Sequence, residues 1–194
     1  MESSKVDNNP IALAAKLGLR ERVLEKVRPA RVFDCCCGVD GEMWGAWEHA
    51  DSYLGCDVRY RVWDHRHRVV SDYETALRAF DLQRFNVFDV DVYGEPWVPL
   101  FLIATRRKWA PKEIGAVVIT DGSHLSVITH RRSAGLGEFG FTPDRLDGAS
   151  CRLAHEVGVR ELCDRMSVRP LFRWVAQGQT VAHVRYSAMV FEGI

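Results

Sequence analysis

Apolar and polar positions divide the chain into segments of changing period. Behind Pro10, the residues Ile11, Ala14, Ala15, Leu17, Val23, Leu24 and Val27 recur at helical spacing, which predicts an amphipathic helix over residues 11–27, softened at Gly18. Residues 31–34, Arg-Val-Phe-Asp, read as a short buried strand that runs into Cys-Cys-Cys-Gly-Val-Asp-Gly before Trp44, Ala46 and Trp47 resume a helical pattern. Further strands are predicted at 53–57, 69–72, 85–90 and 114–120, with helices at 73–80 and 97–107. Alternation of this kind implies a mostly parallel sheet covered on both faces.

The end of the chain changes character. A helix over residues 145–166, a strand at 171–176, a turn at Gly178-Gln179 and a long alternating strand at 181–191 predict a closing antiparallel hairpin. Residues 122–148 are polar and glycine-rich, fit no regular element and suit a loop over a site. No repeat or linker divides the rest, so the organisation is an N-terminal helical segment, 1–27, followed by one domain, 28–194.

Composition narrows the class. At 194 residues and 47% hydrophobic the chain can bury one real core, which excludes a disordered or collagen-like protein. With 26 basic and 26 acidic residues, any hold on nucleic acid must come from a local patch. Three of the six cysteines are consecutive, Cys35 to Cys37, and none forms a CxxC pair, which argues against a disulfide framework and for a reducing cytoplasm. Residues 1–9 lack the pattern of a secretory leader, and no apolar run reaches the roughly 20 residues that span a bilayer. The cysteine run reads as small core filler, and His155-Glu156 has Val159 where a second histidine would complete a zinc motif, so no metal is expected.

Candidate chemistry collects at the predicted strand ends. The first strand ends in Asp34 and a loop holding Gly38, Asp40 and Gly41, and ligands of open α/β sheets sit beyond such ends. Asp57, at the end of the second strand, is placed to accept hydrogen bonds from the two hydroxyls of a ribose. Asp40 beside the helix start would repel a phosphate, so the adenosine-containing cofactor expected here is phosphate-free. S-adenosylmethionine meets that demand. Its cationic end would be held by Asp34 and Asp40, and Asp72 would meet the adenine amino group. After the fourth strand, Asp89-Val-Asp91-Val-Tyr93-Gly94-Glu95-Pro96 joins an acid, an aromatic and a turn. Asp91 is suited to accept from an exocyclic amine and Tyr93 to stack on its ring.

This segment resembles the motif Asp-Leu-Asp-Pro-Phe-Gly-Ser-Pro of the tRNA guanine-N2 methyltransferases. The likeness continues through residues 115–121, Gly-Ala-Val-Val-Ile-Thr-Asp, through His155-Glu-Val-Gly-Val-Arg160 and into the final hairpin, and covers roughly residues 28–191. It implies a Rossmann-like class I methyltransferase fold, a seven-stranded sheet closed by the C-terminal hairpin, with S-adenosylmethionine as cofactor. By that resemblance Asp91 is the catalytic acid and Tyr93 the stacking ring. Asp34, Gly38, Asp57, Asp72 and Asp89 form the cofactor shell with Asp40, while Gly94, Pro96 and Asp121 face the substrate. Val92 and Glu95 depart from the family's proline and serine, and the resemblance, which stops near residue 191, leads to the expectation that the family's separate tRNA-gripping C-terminal domain is lacking.

Residues 59–68 concentrate four arginines, two histidines, Tyr60 and Trp63, a pattern suited to single-stranded nucleic acid, with Arg59 and Arg61 as candidate contacts, or equally to a solvated face beside the cofactor. The expected substrate is therefore RNA in preference to DNA, and an RNA-binding partner subunit would help to grip it. Two other readings stay open: a DNA amino-methyltransferase, and a noncatalytic scaffold of the same fold.

Overall fold

A computed structural model describes residues 10–38, 43–58, 68–123, 134–139, 148–177 and 184–194. Helix α1 (Pro10–Lys26) precedes β1 (Arg31–Asp34), α2 (Trp44–Trp47), β2 (Ser52–Asp57), β3 (Arg68–Val70), α3 (Tyr73–Ala79), β4 (Val87–Val90), α4 (Trp97–Arg106) and β5 (Ile114–Asp121). Helices α5 (Ala134–Glu138) and α6 (Gly148–Met166) lead to β6 (Val168–Gln177) and β7 (Arg185–Gly193).

The seven strands lie in the order β3-β2-β1-β4-β5-β7-β6. The first five are parallel, and β7 runs antiparallel between β5 and β6. The chain builds outward from β1 through β2 to β3, then returns to place β4 on the other side of β1. Ligand clefts form where strand order reverses in this way.

Side-chain alternation sorts the core into two layers. Val32, Val87, Ala116, Val118, Ala188 and Val190 face α1 and α2, packing with Leu19, Val23 and Trp47. Phe33, Phe88, Val117, Ile119 and Phe191 face α3, α4 and α6, packing with Leu77, Leu100, Ile103 and Leu162. No helix among the described residues is long and apolar enough to cross a membrane.

Several boundaries differ from expectation for physical reasons. Helix α1 runs unbroken through Gly18. A glycine inside a helix costs about 1 kcal/mol, and the burial of Leu19, Val23 and Leu24 against the sheet exceeds that. The helix after the cysteine loop is a single turn, and α6 starts at residue 148 rather than 145. Strand β6 starts three residues earlier than its apolar run, because its first residues, Val168 and Arg169, pair with Gly193 and Glu192. A short 3₁₀ turn, Leu82–Arg84, went unpredicted, and α5 gives regular structure to part of the segment read as loop. The hairpin turn at Gly178-Gln179 lies outside the described residues, as do Asp40, Arg59 and Arg61.

Candidate active site

The chain leaves β1 by crossing from one neighbour to the other. Cys35 N donates to Asp89 O at 2.9 Å, and Cys37 N to Cys56 O at 3.0 Å. Gly38 follows at φ +73°, in the left-handed region that glycine enters without strain. Burial, reinforced by Asp34, pushes the Cys37 thiol up to about 12, so it is no nucleophile at neutral pH.

The same alternation that fills the α1 face with valines brings carboxylates to it at the strand ends. Asp34 and Asp89 are register partners in the β1–β4 ladder, and both are fully buried. Asp34 accepts from the Tyr53 hydroxyl at 2.8 Å and from Cys36 N at 3.0 Å. Burial, then the charge of Asp89, raises its carboxyl well above the usual range. Asp89 accepts from Arg20 Nε at 2.7 Å, from Arg20 Nη2 at 2.8 Å and from Trp47 Nε1 at 2.8 Å. Burial raises its carboxyl too, although Arg20 opposes the shift.

One step further along β4, Asp91 holds Lys16 Nζ at 3.0 Å and Arg20 Nη2 at 3.2 Å. Burial alone would raise its carboxyl, but Arg20, Lys16 and the Thr120 hydroxyl outweigh burial and hold it below the ordinary value. Asp91 is therefore a fixed anionic acceptor and a weak base. At the tip of β2, Asp57 is buried on the side Tyr53 shares by alternation, next to exposed Val58. Asp72 stands apart from this group, on the surface, where its Oδ1 caps α3 by accepting from Thr75 N at 2.8 Å.

Beyond Asp91 the chain turns outward. Val92 drops into the core against α4, whereas Tyr93 is 88% exposed. Gly94 adopts φ +97°, and Pro96 leads into α4. Asp121, at the end of β5, faces the opposite side of the sheet from Asp91. Its Oδ1 accepts from Ser123 N at 2.9 Å, and its Oδ2 meets His155 Nδ1 at 2.7 Å.

The structure thus joins Asp89 and Asp91 through the Arg20 guanidinium with Asp34 beside Asp89, sets Tyr93 and Gly94 at the rim, and leaves Asp72 and Asp121 outside that cluster. Sequence reasoning missed Arg20 and Lys16. Their signal was present: they lie four residues apart on the stripe that also buries Ala12, Leu19 and Val23, two cations where an amphipathic helix should be apolar.

No family model matches the chain, and no curated protein matches it by sequence. Among solved structures it is similar to the N-methyltransferase NodS from Bradyrhizobium japonicum WM9 in complex with S-adenosyl-L-homocysteine, at 14% identity over 98% of this chain and 91% of that one, TM-score 0.59. It is similar to Trm1 from Pyrococcus horikoshii in complex with S-adenosyl-L-methionine, at 16% identity over 96% of this chain and 56% of that one, TM-score 0.58. A third is the 1,6-didemethyltoxoflavin-N1-methyltransferase of Burkholderia thailandensis, at 13% identity over 96% and 80%, TM-score 0.55. At these identities the likeness defines the fold, which is that of the class I S-adenosylmethionine-dependent methyltransferases.

Proposed function

We propose that this protein is an S-adenosylmethionine-dependent methyltransferase acting on an exocyclic ring nitrogen, with guanine N2 in RNA as the acceptor. The observation that carries the reading is Asp91, ionised and held in place by Lys16 and Arg20 two residues before the exposed ring of Tyr93.

The residues present fit the donor. Asp34 and Asp89 lie side by side at the tips of β1 and β4, and Arg20 and Lys16 supply the cations that balance Asp89 and Asp91. The Gly38 backbone, on a loop that Asp34 braces through Cys36 N, would meet the methionine end, Asp57 the ribose, and Val58 an apolar face of the adenine. The three similar proteins named above were solved with this molecule or its demethylated form. When bound, the cofactor supplies an electrophilic methyl group on a sulfonium.

The chain's own work is alignment. Asp91 accepts hydrogens from the ring amine and turns its lone pair toward the donor, and Tyr93 fixes the plane of the ring. A strong base is not required, because an aryl amine becomes acidic as it is alkylated and loses its proton to water or to Asp91. The preference for RNA rests on the motif resemblance and on the basic run at residues 59–68.

The deciding experiment incubates the protein with labelled methyl donor and separate RNA, DNA and protein fractions, followed by nucleoside analysis. Label in N2-methylguanosine supports the reading, and label in DNA alone overturns the acceptor. No calorimetric binding of S-adenosylmethionine would turn the assignment toward a scaffold whose Asp91 is simply an internal ion-pair partner.

A further inference from the structure

On the sheet face opposite the carboxylate cluster lies a buried polar chain that the proposed reaction does not use. Ser187 Oγ meets His155 Nε2 at 3.2 Å, His155 Nδ1 meets Asp121 Oδ2 at 2.7 Å, Asp121 Oδ1 takes Ser123, and Trp97 Nε1 donates to Ser123 Oγ at 3.1 Å. A proton on Nδ1 gives Asp121 its donor and leaves Nε2 to accept from Ser187. The order serine, histidine, aspartate is that of a hydrolase relay. Ser187, however, is 2% exposed and sits on β7 between β5 and β6, where no substrate reaches it.

The chain ends instead on the acceptor turn. Trp97 is the first residue of α4, directly after Pro96, and it is socketed from several sides. A Cβ on Gly158 would come within 2.3 Å of its ring and one on Gly135 within 2.6 Å of its Cβ, so both helices touch it by backbone. His155 and Phe139 pack edge-on to it, at 5.7 and 6.0 Å between ring centres. Beside Ser123, Gly122 N donates to Gly94 O at 2.8 Å, and a Cβ on Gly122 would fall 2.6 Å from that oxygen. Asp121 to Ser123 therefore hold the turn at Gly94 and at Trp97, with Tyr93 between the ion-paired Asp91 and this second anchor. Because the Tyr93 side chain is almost wholly exposed, its backbone sets the point from which the ring extends.

The geometry points to Ser187, His155, Asp121, Ser123 and Trp97 as a positioning relay that holds the backbone of the Tyr93 turn in place against the acceptor. The inference rests on the proposed role of Tyr93 and adds residues to it that touch neither donor nor acceptor. Ser123→Ala removes the hydroxyl joining Asp121 to Trp97. Transfer to an unmodified tRNA transcript should fall by about 10- to 100-fold in kcat/KM while calorimetric affinity for S-adenosylmethionine stays within about twofold. Hydrogen exchange at the Gly122 amide should quicken by about tenfold, with exchange in β1 and β2 unchanged. Ser123→Thr, which keeps the hydroxyl, should restore both.

A Ser123→Ala protein with native Gly122 exchange overturns the relay, as does equal loss of donor and acceptor binding. Should that variant fail to fold, Ser187→Ala at the far end carries the same measurements. If the native protein methylates no RNA, the functional reading falls, and the Gly122 exchange alone then decides whether the relay holds the turn.

Discussion

Arg20 grips Asp89 with two parallel hydrogen bonds, at 2.7 and 2.8 Å, and neither side chain reaches solvent. A bidentate pair of this kind is oriented as well as charged, and the same guanidinium extends to Asp91 and, through Nη1, to the Lys16 carbonyl at 2.9 Å. Helix α1 is thereby tied to the tip of β4 by its own side chain. Removing one partner of a buried pair strands the other charge. Arg20→Met should cost about 3–5 kcal/mol in urea unfolding, and Arg20→Met with Asp89→Asn should cost clearly less than the sum of the two single changes. Additive costs, or a loss under about 1 kcal/mol for Arg20→Met, would show that the pair does not anchor α1.

Asp34 and Asp91 predict opposite pH behaviour from the same face of the sheet. Asp91 has a lowered folded pKa, so its stabilisation is present above the unfolded value and is lost as pH falls through the folded one. Asp34 is raised, so its contribution is present below the unfolded value and is lost as pH climbs through the folded one. Relative to native protein, Asp34→Asn should gain in urea midpoint as pH rises from about 4 to 7, and Asp91→Asn should gain as pH falls from about 4 to 2. Parallel slopes for the two variants would contradict the different surroundings assigned to the two carboxyls.

The parts of this site that were legible in the sequence are those fixed by one local fact. A carboxylate ending a strand in an alternating sheet has its depth set by register, so Asp34, Asp57, Asp89 and Asp91 were readable one by one. What joins them was not. Arg20 reaches Asp89 across 69 residues of sequence, and the buried polar chain assembles Trp97, Ser123, His155 and Ser187 from α4, the end of β5, α6 and β7. Such pairings depend on how layers stack, which local spacing does not encode. Asp72 shows the converse: its position after β3 suggested an adenine contact, but locally it is also a helix cap.

That double reading of Asp72 can be separated. Serine caps a helix about as well as aspartate, so Asp72→Ser should leave thermal stability unchanged while removing the carboxylate. If Asp72 meets the adenine amino group, calorimetric affinity for S-adenosylmethionine should drop by about 10- to 150-fold, the scale of one hydrogen bond to a charged group. Asp57→Ala, which removes the acceptor proposed for both ribose hydroxyls, should weaken it further. Donor affinity unchanged by Asp72→Ser would leave Asp72 with its capping role alone.

Tyr93 offers the cleanest separation of chemistry from stability, because its side chain is exposed while its neighbour Val92 is built into the core. Truncation at an exposed position disturbs little packing, so Tyr93→Ala should stay within about 0.5 kcal/mol of native protein in urea unfolding. Val92→Ala should destabilise by about 1 kcal/mol or more through the space it leaves beside α4. In methyl transfer the order reverses. Stacking of a base on an aromatic side chain contributes about 1–3 kcal/mol, so Tyr93→Ala should lower kcat/KM for the RNA acceptor by about 5- to 150-fold. Tyr93→Phe should keep most of that rate, since the face of the ring acts rather than the hydroxyl, and Tyr93→Leu should not, despite its similar apolar bulk. A Tyr93→Leu enzyme as fast as native would mean that the ring merely fills space at the rim, and Asp91 alone would then have to orient the acceptor.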